Sequence, residues 1–208
     1  KKMEIEKTLP NVKKDVPLSR YTTFRIGGNA KYFIEVENGE EVERAITVAR
    51  DKDLPFLILG NGSNVLVSDR GYNGLVIRMS GRKIASGGEI VIAEPGVLLP
   101  SLVLFCAKSG LAGKEWESGI AGTVGGAVRG NAGAFGGSMA DSIIEVIVID
   151  ARTGRKFTMK NEECEFGYRE SLFKRYPELV IIEAKMKFSK DDPKEVQTKA
   201  SQYLDYRK

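Results

Sequence analysis

A mixed α+β fold is predicted by three features of this 208-residue sequence. Short apolar runs with strand character recur along it, segments of helical periodicity interrupt them, and glycine-rich turns separate the two kinds. Residues 30–36 (AKYFIEV) alternate as a strand. Residues 39–52 place Val42, Ala45, Ile46 and Ala49 on one helical face, with Gly39 and Glu40 at its start. A compact strand is predicted at 56–59 (FLIL), stopping at Gly60-Asn61-Gly62-Ser63-Asn64, and further strands at 65–67 and 74–79. This βαββ pattern fills residues 1–80 as a first unit.

A break at Ser80-Gly81-Arg82-Lys83 opens a second unit over 81–189. Strands are predicted at 89–94 (EIVIAE), 143–149 (IIEVIVI), 155–159 and 179–188, with a helix at Leu99–Ser109 whose first turn holds Pro100. Residues 192–207 read as a helix with Asp192 as N-cap and Pro193 at its first position. Its apolar face, Val196, Ala200, Tyr203 and Leu204, needs something to pack on, so 190–208 is expected to begin a further domain.

Composition narrows the function. With 42% apolar and 29% charged residues and no run of 18 apolar residues, the chain reads as a soluble protein with no membrane span. The net charge of +4 is dispersed, which argues against nucleic acid and at most suits an anionic small ligand. Cys106 lies in an apolar stretch and Cys164 has no neighbouring partner in sequence. Neither a disulfide framework nor a metal site is expected, and a reducing cytoplasm fits. There is no histidine, which removes the Ser-His-Asp triad and the usual zinc sites. Any redox chemistry must then come from an organic cofactor.

Residues 119–137 (GIAGTVGGAVRGNAGAFGG) contain 12 Gly or Ala in 19 positions. A backbone this bare can touch a ligand directly, and successive amides can form a nest for pyrophosphate. The same composition also suits a tight helix or strand crossing in the core. Gly60–Asn64 follows a buried strand and is a second candidate, although alone it reads equally as a hairpin turn. It is neither G-x-G-x-x-G nor a Walker A loop. Two such loops suit one ligand with two phosphates.

Tyr21-Thr22-Thr23-Phe24-Arg25-Ile26-Gly27-Gly28, Gly60-Asn61-Gly62-Ser63-Asn64-Val65-Leu66-Val67, the glycine segment and Phe166-Gly167-Tyr168-Arg169-Glu170-Ser171 follow one another in an order and spacing that resembles the UDP-N-acetylenolpyruvoylglucosamine reductase family over 17–188. The resemblance implies a two-subdomain FAD-binding fold of the vanillyl-alcohol-oxidase type, plus the start of a third, substrate-binding domain. It implies non-covalent FAD between the subdomains, its pyrophosphate cradled by Gly60, Asn61, Gly62, Ser63 and Asn64 and by Gly122, Thr123, Gly125, Gly126, Asn131, Ala132 and Gly133. Arg129 could neutralise phosphate charge or be an exposed structural arginine. Ala121 stands where the family commonly has proline.

The reaction so implied is NADPH-dependent reduction of UDP-N-acetylglucosamine enolpyruvate to UDP-N-acetylmuramate, a peptidoglycan precursor. Hydride passes through the flavin to the vinyl carbon, and positive charge is needed beside the resulting enolate. Arg169 matches the family's catalytic arginine, with Tyr168 beside it on the substrate side; an ordinary ion pair of Arg169 to Glu165 or Glu170 is the alternative. The family's proton-donating serine, in Gly-Ser-x-Phe-Lys-Asn-Pro, has no counterpart here, and Ser171 and Ser201 do not match it. The sequence therefore resembles the shorter subclass without most of its third domain. A related flavin oxidase and a non-catalytic nucleotide-binding module are the rival readings.

Overall fold

The computed structural model describes residues 5–207. Its first sheet holds β1 (Lys13–Pro17), β2 (Asn29–Val36), β3 (Phe56–Leu59) and β4 (Tyr72–Met79) in the order β1-β2-β4-β3. β2, β4 and β3 run parallel and β1 is antiparallel to β2. The second sheet is wholly antiparallel. It contains β5 (Ile84–Gly87), β6 (Ile90–Ala93), β7 (Ile143–Asp150), β8 (Lys156–Lys160) and β9 (Leu179–Lys187), in the order β8-β7-β9-β6-β5. The longer helices are α1 (Gly39–Asp51), α2 (Leu99–Lys108), α3 (Val124–Arg129) and α4 (Pro193–Asp205).

Helix α1 joins the two sheets. Asn38 caps it by accepting from the Glu41 amide at 3.0 Å. The predicted face, Val42, Ala45, Ile46 and Ala49, is buried. It packs with Ile34, Val36, Leu75 and Ile77 of the first sheet and with Ile149, Val180 and Ile182 of the second. A Cβ on Gly39 would stand 3.3 Å from Ile182 Cδ1, so the helix start lies close against β9. The other face of the first sheet is closed by Leu18, Phe33, Leu59 and Val76. A larger core fills the second unit, with α2 and α3 packed on β6, β7 and β9.

One predicted strand is absent and two strands appear where none was expected. Residues 65–67 form no strand. Val65 and Val67 do pack inward and Leu66 points out, but the segment faces Gly27 and Gly28, and the nearest bonds are those of the Gly28 and Gly71 amides to the Ser68 carbonyl. The side-chain alternation is real, and no ladder forms beside it. Strands β1 and β5 went unrecognised because Lys13-Lys14-Asp15 and Ser86-Gly87 carry no apolar alternation; pairing with β2 and β6 orders them instead. Helix α3 agrees with the tight-helix alternative for part of the glycine segment, its Val124, Ala127 and Val128 being buried.

Asp192 caps α4 by accepting from the Lys194 amide at 2.7 Å. Of its apolar face, Val196 is buried while Leu204 stays largely exposed. No described helix is long and apolar enough to cross a membrane, and no group of described residues is set to hold a metal ion.

Cys106 and Cys164 are both buried free thiols, and burial pushes each up to about 12. At pH 8 only about one in 10⁴ would be thiolate. Ellman's reagent should leave the native chain unlabelled and titrate two thiols after denaturation; rapid native labelling would show that the core around α2 is open.

Candidate cofactor cradle and arginine turn

The two glycine loops meet. Gly60 ends β3, and a Cβ added there would lie 2.5 Å from Thr123 Oγ1. A Cβ on Gly122 would lie 3.6 Å from Ser63 Oγ. Gly62, at φ +65°, sits against the Tyr21 carbonyl, and its own carbonyl accepts from the Thr23 amide at 3.1 Å. The Tyr21–Gly28 phrase therefore braces the first loop from behind.

The second loop is braced by the residues leading into α2. Leu99 N donates to Gly122 O (3.1 Å), Val124 N to Val97 O (2.8 Å) and Gly125 N to Pro95 O (2.9 Å). Thr123 caps α3, with Gly126 N donating to its Oγ1 at 3.4 Å. The amides of Gly125 and Gly126 are thus already engaged. Gly125 instead provides room, because its Cβ would stand 2.7 Å from Pro95 Cβ. By contrast, the amides of Asn61, Gly62, Ser63 and Asn64 and of Ala121, Gly122 and Thr123 donate to no protein group among the described residues. Such adjacent, unengaged amides on bare backbone are what an anionic group requires.

Asn131 lies elsewhere in the network. It is buried at φ +39°, its Nδ2 donates to Gly167 O at 2.8 Å, and its Oδ1 accepts from Ala140 N at 3.0 Å. Both ends of the amide are occupied, so this side chain ties down the 167–170 turn. Ser171, fully buried, donates to Arg129 O at 2.6 Å and fastens the same turn from its other end. Ala132 closes this link, its carbonyl accepting from Met139 N.

Arg169 occupies the turn so held. Gly167 and Glu170 exchange amide hydrogen bonds of 3.0 and 3.2 Å, with Tyr168 and Arg169 between them. Arg169 has φ +54°, a left-handed conformation that costs a non-glycine residue about 1–2 kcal/mol. Its Nη1 stands 3.4 Å from where a Gly133 Cβ would be, and its guanidinium lies 5.6 Å from the Tyr168 ring centre, the ring itself being 92% exposed. The carboxylates that could have neutralised it are taken: Glu165 pairs with Arg175 at 2.6 Å and Glu170 with Lys174 at 3.7 Å. Arg169 makes no ion pair among the described residues. A strained, exposed, unpaired arginine beside bare backbone is positioned to meet an external anion. Arg129 is likewise exposed, on the last turn of α3.

Sequence reasoning missed a buried pair beneath the glycine segment. Lys114 Nζ lies 2.6 Å from Glu117 Oε1 and 2.9 Å from Met139 Sδ, over the Trp116 ring, with Lys114 and Glu117 almost wholly excluded from solvent. Burial pushes the Glu117 carboxyl up, and the Lys114 charge opposes that shift. The only sequence signal was Lys-Glu-Trp-Glu, which reads as a solvated turn. A separate polar cleft at the carboxyl ends of β2 and β4, lined by Glu37, Asn38, Ser80, Arg82 and Lys83, contains none of the predicted site residues.

Comparison with known proteins matches the arrangement. Residues 30–159 fit the FAD binding domain family. A UDP-N-acetylenolpyruvoylglucosamine reductase of Synechococcus sp. (strain RCC307) is 40% identical over 206 residues, covering 97% of this chain and 67% of that protein. The chain belongs to the UDP-N-acetylenolpyruvoylglucosamine reductase family. The crystal structure of such a reductase from Thermus caldophilus superposes with a TM-score of 0.80 at 35% identity, covering 93% of this chain and 68% of that one. Alkyldihydroxyacetonephosphate synthase, at 19% identity and a TM-score of 0.64, shares the fold. The chain is therefore an FAD-dependent oxidoreductase of this family, and it spans about two thirds of the length of the relatives it matches.

For a family member the contact between Gly60 and Thr123 has a direct consequence. Gly60→Ala forces the two loops apart, an overpacking that typically costs about 1–3 kcal/mol, and FAD should bind about tenfold or more weakly. Adding Thr123→Ala removes the obstructing oxygen and should restore part of that affinity although it removes the α3 cap. Equal FAD affinity in wild type and Gly60→Ala, measured by quenching of flavin fluorescence, would contradict the close approach.

Proposed function

We propose that this chain forms the flavin-binding part of a reductase that converts UDP-N-acetylglucosamine enolpyruvate to UDP-N-acetylmuramate with NADPH as hydride donor. The observation carrying this reading is the apposition of Gly60–Asn64 and Gly122–Thr123 with their amides unengaged. A diphosphate with a group on either side fits such a cradle, because bare backbone allows contact distance and the amides supply donors without lysine or metal. When bound, FAD supplies the hydride relay between NADPH and the enolpyruvyl double bond.

Each singled-out residue then has a physical task. Gly60, Gly62 and Gly122 supply room, and Asn61, Ser63, Asn64 and Thr123 supply amides and short polar side chains toward the phosphates. Gly125 lets α3 start close to Pro95, and the Gly126 amide donates to the Thr123 cap, which together fix the loop. Asn131, Ala132 and Gly133 seat the arginine turn rather than the phosphates. Arg169, held in its turn without a carboxylate partner, would bind the enolpyruvyl carboxylate through its guanidinium fork. Hydride addition at the vinyl carbon shifts charge onto the carbon beside that carboxylate, and a preorganised cation there stabilises it more than it stabilises the substrate. Tyr168 stacks beside the guanidinium and forms the exposed rim. The chain has no histidine to tether a flavin covalently, which favours a dissociable cofactor. The substrate is a soluble nucleotide sugar, and the proposed location is the cytoplasm.

The complete enzyme carrying Arg169→Ala separates the two half-reactions. In stopped-flow, flavin reduction by NADPH should stay within about twofold of wild type, while reoxidation by the enolpyruvyl substrate should slow about 10²- to 10³-fold. Equal slowing of both halves would contradict the role given to Arg169.

A further inference from the structure

Arg207, just past the end of α4, touches the turn that leads into the glycine segment and the segment's far end. Its Nε donates to Ser118 O at 2.6 Å and its Nη2 to Trp116 O at 3.0 Å, just ahead of the segment. Its guanidinium carbon lies 4.9 Å from the ring centre of Phe135, near the end of the segment. Tyr203 and Tyr206 of the same helical region sit 5.1 and 6.2 Å from that ring. Gly119, at φ +80°, makes room for this arrangement, since a Cβ there would stand 2.9 Å from Arg207 Cδ and 3.0 Å from Leu204 Cδ1. On the other side, the 115–117 turn is seated by the buried Lys114–Glu117 pair, and Gly137 rests against the Trp116 indole. Between the points Arg207 grips lie Ala121, Gly122 and Thr123, whose amides are unengaged, and Gly133, which faces Arg169.

A cation donating to two carbonyls makes the stronger class of hydrogen bond, and here both carbonyls lie within three residues ahead of Gly119. Glycine-rich backbone loses the most freedom when ordered, so restraining it beforehand lowers the ordering cost of binding. We propose that Arg207 is a positioning residue for the cofactor: it presets the glycine segment and couples α4 to the cradle. The proposal rests on the FAD reading above. Coupling is reciprocal, so cofactor binding should in turn order α4.

The test compares wild type, Arg207→Ala and Arg207→Lys for FAD affinity by fluorescence quenching and for amide hydrogen exchange of residues 196–206 with and without FAD. Arg207→Ala should raise the dissociation constant about tenfold, the equivalent of losing one charge-assisted hydrogen bond. It should also abolish the FAD-dependent protection of 196–206 seen in wild type. Arg207→Lys, which keeps the charge but not the two-carbonyl reach, should fall between them. A role in folding alone would lower the melting temperature yet leave both readouts unchanged, and that result overturns the proposal. If Arg207→Ala does not fold, wild-type affinity and wild-type protection in Arg207→Lys overturn it equally. A wild-type chain that takes up no FAD overturns the cofactor reading and this one together, whereas flavin bound equally by all three overturns only the role of Arg207.

Discussion

The site depends on how closely the backbone leaving β3 approaches the Thr123 side chain that opens α3. Gly60 leaves the parallel strand β3, Thr123 opens α3, and a single methyl group at position 60 would separate them. That contact requires both sheets to be fixed relative to each other, which α1 achieves by burying one apolar face against strands of each. Each loop is in turn braced by its own unit: 60–64 by the Tyr21–Thr23 backbone, 122–125 by Pro95–Leu99. The cradle thus inherits the rigidity of two cores although no large side chain lines it. Amides left without protein partners in such a setting are met by solvent or a ligand, and this is the ground on which the location is proposed as the cofactor site.

A second constraint links the cradle to the arginine. Asn131 and Ser171 hold the 167–170 turn to the last residue of α3 and to the position two beyond it, so the arginine turn is tied to the glycine segment. The strained backbone at Arg169 is maintained by these two bonds and by the paired amides of the turn. Its neighbouring carboxylates are diverted to Arg175 and Lys174, which leaves the guanidinium unneutralised. The unpaired arginine and the glycine segment, distant in sequence, meet at Gly133, and the proposed reading makes them catalytic cation and cofactor cradle.

The elements that hold the fold were legible because their side chains obey simple periods. The face of α1, the run at 56–59, the cap at Asp192 and the strands of the second sheet other than β5 follow from apolar spacing or short polar caps. The pairing of the two glycine loops followed from each sitting next to a strand. What sequence could not reveal are interactions fixed by tertiary contact. Asn131 read as a partner for the phosphates or the flavin, and its hydrogen bonds to Gly167 and Ala140 are tertiary contacts that no local pattern encodes. Lys114 and Glu117 look like surface charges until the segment above them is folded over. Arg207 lies some 90 positions from the carbonyls it holds, and no local pattern encodes that. Its relevance depends on Gly119, whose missing side chain is visible in sequence but whose neighbour is not.

The most direct measurement of the cradle is the affinity of the purified apo-chain for FAD, FMN and riboflavin, titrated side by side by flavin fluorescence. If unengaged amides from both loops hold a pyrophosphate, FAD should bind at least about 100-fold more tightly than riboflavin, in line with two or more hydrogen bonds to a charged group, and inorganic pyrophosphate should compete. A chain that takes up no FAD, or that binds FAD and riboflavin equally, would contradict the account.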